Sequence, residues 1–88
     1  MANDSTAFRQ ITALANTPVI IFTADGGPRI RQARNMSGAT IYLGSTNAVD
    51  ATGYPVKDGE TLGDSLGHDA VWAVCPTAAL DVRRITVQ

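Results

Sequence analysis

Short apolar segments recur along the whole chain, and each is closed by glycine, proline, asparagine or aspartate before it reaches helical length. That punctuation leaves an antiparallel β domain as the expected fold, since strands of four to eight residues bounded by turn formers read as extended structure. The segments are Phe8 to Ala15, Val19 to Thr23, Arg29 to Met36, Thr40 to Gly44, Thr61 to Leu66, Ala70 to Cys75 and Leu80 to Val87. The expectation is all-β: a single small antiparallel sandwich or barrel of about seven strands, because each strand has an apolar side that must be covered. Residues 8–88 form that domain, and residues 1–7 are an amino-terminal arm or a disordered terminus. Val19, Ile21, Ile41, Leu43, either Val71 or Trp72, Val82 and Ile85 supply the expected core.

The connections carry their own chemistry. Asn16-Thr17-Pro18 ends the first strand, since proline cannot donate to a ladder. Ala24-Asp25-Gly26-Gly27-Pro28 reads as a hairpin loop, Ser37-Gly38 and Lys57-Asp58-Gly59-Glu60 as turns, and Ser45 to Gly53 as a surface loop. Tyr54-Pro55-Val56 is a brief return to apolar character, and Gly63 weakens the strand that contains it. Arg29, Arg31 and Arg34 break strict alternation once, which a bulge or an edge position accounts for.

Composition removes several classes of function. With 88 residues there is room for one core, and the modest surface burial of so short a chain favours association. A formal net charge of −1 provides no general attraction to nucleic acid or to anionic lipid. The longest apolar run, Pro18 to Phe22, is far short of the roughly 20 residues of a membrane span. Met1 to Thr6 lacks the basic start and apolar stretch of a secretory signal, so synthesis in the cytoplasm is expected. Cys75 is the single cysteine and lies in an apolar strand, where it reads as a small buried hydrophobe.

Catalytic constellations are not legible. His68 is the single histidine and sits in a polar turn with no Gly-x-Ser-x-Gly elbow anywhere in the chain. One histidine and one cysteine do not make a closed zinc set. Asp58, Glu60 and Asp64 lack the spacing of a calcium loop and read as a solvated acidic turn. Gly26-Gly27 is followed by neither a Lys-Ser/Thr pair nor a helix, so a phosphate loop is not indicated. Trp72 reads as core or interface rather than as a stacking platform. No enzyme, cofactor or metal is expected. Charge is more informative: Arg29, Arg31 and Arg34 share one segment, while Asp50, Asp58, Glu60, Asp64 and Asp69 follow it, which suits either solvated surface or complementary faces that align copies or partners.

Ile41-Tyr42-Leu43-Gly44-Ser45, Val49, Gly53-Tyr54-Pro55-Val56, Gly59-Glu60, Trp72-Ala73-Val74 and Ala79-Leu80-Asp81-Val82-Arg83 occur in that order. The succession resembles the small β-sandwich of tailed-phage head decoration proteins and related head or tail appendages, and it covers Arg29 to Val87. The resemblance implies a virion structural protein without catalytic residues: a decoration, or cement, protein on the outer surface of a major capsid protein. It also implies a homo-oligomer, with a trimer favoured, made in the host cytoplasm and located on the capsid surface. Contacts are then expected from the terminal segment, namely Ala2, Asn3, Asp4, Ser5, Thr6 and Phe8, and from Arg29, Arg31 and Arg34. A head-fibre or tail-tip attachment domain is the nearest alternative. A carbohydrate-binding module is another, and it requires Tyr42, Tyr54 and Trp72 exposed on one face.

Overall fold

The computed structural model describes residues 6–24, 30–63 and 69–87, with the backbone alone described at Ile30. These residues form eight strands and no helix: β1 (Thr6–Ala13), β2 (Val19–Phe22), β3 (Ile30–Asn35), β4 (Ile41–Gly44), β5 (Tyr54–Val56), β6 (Thr61–Leu62), β7 (Val71–Val74) and β8 (Leu80–Val87). Two antiparallel four-stranded sheets result, with orders β1-β8-β3-β6 and β2-β7-β4-β5. The pairs β1·β8, β2·β7, β3·β6 and β4·β5 are nested like a single long hairpin whose successive rungs alternate between the sheets. The cross-pairs β3·β8 and β4·β7 complete each sheet. This winding is the jelly-roll form of the β-sandwich.

Apolar alternation explains the layering. β4 buries Ile41 and Leu43 while Tyr42 and Gly44 face outward, and β8 buries Leu80 and Val82. Ile11, Ile21, Phe22, Ala33, Val56, Val71, Ala73 and Cys75 complete the core cluster. Val71 rather than Trp72 faces inward, and Val19 packs half-buried against the cluster. Ile85 is corrected: it lies three residues from inward-facing Val82 on a strand paired in unbroken register, so it must occupy the outer face. Cys75 is fully buried, as its apolar strand leads one to expect.

Several local readings change. β2 and β3 lie in different sheets, so they do not pair as a hairpin; Asp25 to Pro28, read from the sequence as part of a hairpin loop, lie outside the described residues. β3 is an inner strand in continuous register with β8, neither an edge nor bulged. Its arginine pattern breaks because Arg31 points inward. The bulge is instead in β2, between Ile20 and Phe22, where it lets the consecutive residues Ile21 and Phe22 both be buried. Tyr54-Pro55-Val56 supplies an eighth strand, with Pro55 tolerated because β5 is an edge. β1 starts at Thr6, so Thr6 and Ala7 belong to the ladder, whereas β6 stops before Gly63.

One buried side chain ties the sheets together. Asn35 is 1% exposed; its Nδ2 donates to the carbonyls of Ala39 and Val56, each at 2.8 Å, and its Oδ1 accepts from Ser37 N–H at 2.9 Å. Val56 belongs to the opposite sheet, so this amide brackets the sandwich at the β3–β4 crossing. In the β5–β6 turn, Gly59 takes φ 83° and Glu60 N–H returns to Lys57 O at 3.0 Å, a backbone shape that glycine adopts without strain.

Candidate docking surface

Residues paired across an antiparallel sheet share a face, so the register shows directly what each surface presents. On the outer face of the first sheet the rows run Thr12–Asp81, then Gln10–Arg83–Arg34–Thr61, then Phe8–Ile85–Gln32, then Thr6–Val87. An aromatic and an aliphatic side chain therefore stand beside two directly opposed arginines. Phe8 is 77% exposed, a large apolar area to leave in water. Aromatic residues and arginines are the residue types most enriched where one protein docks on another.

The electrostatics of this face are asymmetric. Arg83 Nε donates to Asp81 Oδ1 at 3.1 Å, its Nη2 to Oδ2 at 3.3 Å, and Gln10 Nε2 also donates to Asp81 Oδ1 at 3.2 Å. The hydrogen bond from Arg83 holds the Asp81 carboxyl below its ordinary range against the opposing effect of partial burial, with Gln10 adding to the lowering. The Arg34 side chain has no ion pair or hydrogen bond to a described residue, and the residue is exposed. Like charges directly opposite one another destabilise a sheet, so Arg34 and Arg83 are placed at some cost to the isolated domain.

Of the residues nominated from the sequence, Thr6, Phe8 and Arg34 are brought together on this face. Arg31 is corrected as a surface contact: it is 2% exposed, stacks on the Phe22 ring with its guanidinium carbon 4.8 Å from the centroid, and donates through Nη1 to the carbonyls of Asp69 at 3.2 Å and Thr23 at 3.4 Å. Its role is internal. Arg84, also on the inner side, donates to Ile21 O at 2.9 Å and approaches the same ring at 5.9 Å. Ala2, Asn3, Asp4, Ser5, Arg29 and His68 lie outside the described residues. The sequence reading missed Arg83, Gln10 and the outward place of Ile85; their alternation with the buried Ile11 and Val82 is the signal that locates them.

The outer face of the second sheet is different. Its rows are Pro55–Tyr42–Val74 and Gly44–Trp72–Ile20, with Val49 from the following loop close over Gly44. Tyr42 and Trp72 are half-buried there, while Tyr54 is in the opposite phase, opposite Leu43, and 67% exposed. The three aromatics do not share a face, so the arrangement that a carbohydrate platform needs is not formed. An open cleft of about 450 Å³ borders Leu43, Tyr54, Leu62, Asp69 and Val71. Its described lining is mostly apolar, with Tyr54 and Asp69 as the titratable side chains. Asp58 and Glu60 cap backbone instead, accepting from Gly38 N–H at 2.8 Å and Lys57 N–H at 2.7 Å.

Comparison with protein-family models, with curated proteins and with solved structures gave no match, so the functional reading rests on the surfaces of this chain.

Proposed function

We propose that the protein is a virion structural protein of a tailed phage, a decoration protein that docks on the outer surface of the major capsid protein through the outer face of its first sheet. The observation that carries this reading is the grouping of exposed Phe8 and outward Ile85 with Arg34 and Arg83 on one face of a four-stranded sheet. Such a surface binds by burying the apolar row and pairing the guanidiniums, with no reaction required. The jelly-roll winding is compatible, since that architecture recurs in viral shells, although it hosts unrelated functions as well.

Multivalency supplies the mechanism. A homo-oligomer, a trimer being the preferred form, touches several capsomers at once, and each later contact forms at high effective concentration. A ligand that prefers the intact shell then stabilises it in proportion to occupancy and differential affinity. The test is to add the protein to undecorated shells of the matching phage and measure stoichiometry and heat resistance. Saturable binding in a fixed ratio with a raised disruption temperature is expected. Binding without stabilisation would favour the head-fibre or tail-tip role, and no binding would reject the capsid partner.

A further inference from the structure

We infer that Arg34 and Arg83 form a carboxylate clamp, and that the docking partner presents an acidic side chain beside an apolar one. The inference rests on the docking reading for the identity of the partner, but the clamp itself is defined by the register. Arg34 on β3 and Arg83 on β8 are direct cross-strand partners, which places their Cα atoms roughly 4.5–5.5 Å apart on the same face. Arg83 donates through Nε and Nη2 to Asp81, which orients its guanidinium, while Nη1 has no bond to a described residue. The Arg34 guanidinium has none at all among the described residues.

Two forks side by side match the geometry of a carboxylate, which accepts parallel N–H bonds from guanidinium. Asp81 already shows this chemistry on one of the two arginines. A second, incoming carboxylate between Arg34 and Arg83 relieves their mutual repulsion, so the cost of opposing like charges in the free domain becomes affinity in the complex. The neighbouring row sets the rest of the motif: Phe8 and Ile85 adjoin the arginines along β1 and β8, and they require an apolar residue next to the acid. Thr61 and Gln10 flank the arginines within the row and add polar hydrogen-bonding capacity. A protein acid is favoured over nucleic acid because the chain's formal net charge is −1 and the arginines on this face are opposed in one row rather than following a backbone.

The experiment needs no shell. The full-length isotope-labelled protein is titrated, in low salt, with a capped peptide alternating glutamate and leucine, with a single-stranded oligothymidine of 12 nucleotides, and with phosphatidylserine vesicles. The expected result is saturable shifts at the Arg34 and Arg83 side chains and at the amides of Gln32 to Arg34 and Arg83 to Ile85, for the peptide only. Arg34→Ala and Arg83→Ala weaken it by about fivefold or more, and Arg34→Lys only partly restores it because ammonium lacks the fork. Shifts centred on Lys57 or Arg9, full rescue by lysine, or tighter binding of the oligonucleotide or vesicles would overturn the clamp. Peptide binding at the clamp together with failure to bind shells would reject the capsid reading alone.

Discussion

Replacing Asn35 by alanine removes three side-chain hydrogen bonds at once and leaves the carbonyls of Ala39 and Val56 and the N–H of Ser37 without that partner. A buried polar group left unpaired costs about 1–3 kcal/mol, and less where water can enter. Only the bond to Val56 is wholly buried, so Asn35→Ala is expected to cost about 3–5 kcal/mol rather than the full sum. A domain of 88 residues has roughly 4–13 kcal/mol in total, so most of its stability is at stake. With a urea slope of about 1 kcal/mol/M, the midpoint falls by about 3–5 M or the variant unfolds outright. Asn35→Asp makes the point sharper. The carboxylate keeps the bond from Ser37 but turns a charged acceptor toward two carbonyl acceptors, so it is expected to be at least as damaging at neutral pH and less so in acid, where a protonated acid donates once. Equilibrium urea unfolding of both variants by tryptophan fluorescence measures this. A loss below about 1 kcal/mol for Asn35→Ala, or an aspartate variant as stable as wild type, would refute the bracket.

Arg31→Ala is expected to lower stability by about 2–4 kcal/mol by removing the packing on Phe22 and the bonds to two carbonyls, whereas Arg34→Ala changes it by less than about 0.5 kcal/mol; thermal unfolding compares them. Gly53→Ala puts a Cβ 2.5 Å from the carbonyl oxygen of Leu43, and the backbone shift it forces is expected to cost about 1–3 kcal/mol by urea unfolding. Asp81 is held below its ordinary value of 3.8, so its contribution is present above that pH and is lost as pH falls through the lowered native value. Asp81→Asn should therefore flatten the acid limb of a stability-versus-pH profile; an unchanged limb would show that the Arg83 bond is not felt in solution.

The strands were legible because their ends are chemical: Asn16 with φ 59°, Gly38 with φ 77° and Gly59 with φ 83° all stand where turn residues mark a boundary. Sheet membership was not, since nothing in residues 24–28 distinguishes a hairpin from a crossing between sheets, and that choice is made by which long-range rungs β2 and β3 can join. The three arginines of residues 29–34 looked alike in sequence. Arg31 was internal because the apolar stem and flat head of arginine can be buried against Phe22, a use that polarity scales do not anticipate. Half of the candidate docking surface was readable, in Phe8 and Arg34. The other half, Arg83 and Ile85, lies about fifty residues from Arg34 and more than seventy from Phe8 along the chain and joins them only through the register of β8.

The most direct measurement is electron cryo-microscopy of phage shells saturated with the protein, at a resolution that places side chains. The account predicts the first sheet lying against the capsid, with Phe8 and Ile85 buried at the contact and an acidic capsid side chain between Arg34 and Arg83. Density that places the second sheet, with Tyr42 and Trp72, on the shell while Phe8 remains in solvent would contradict it.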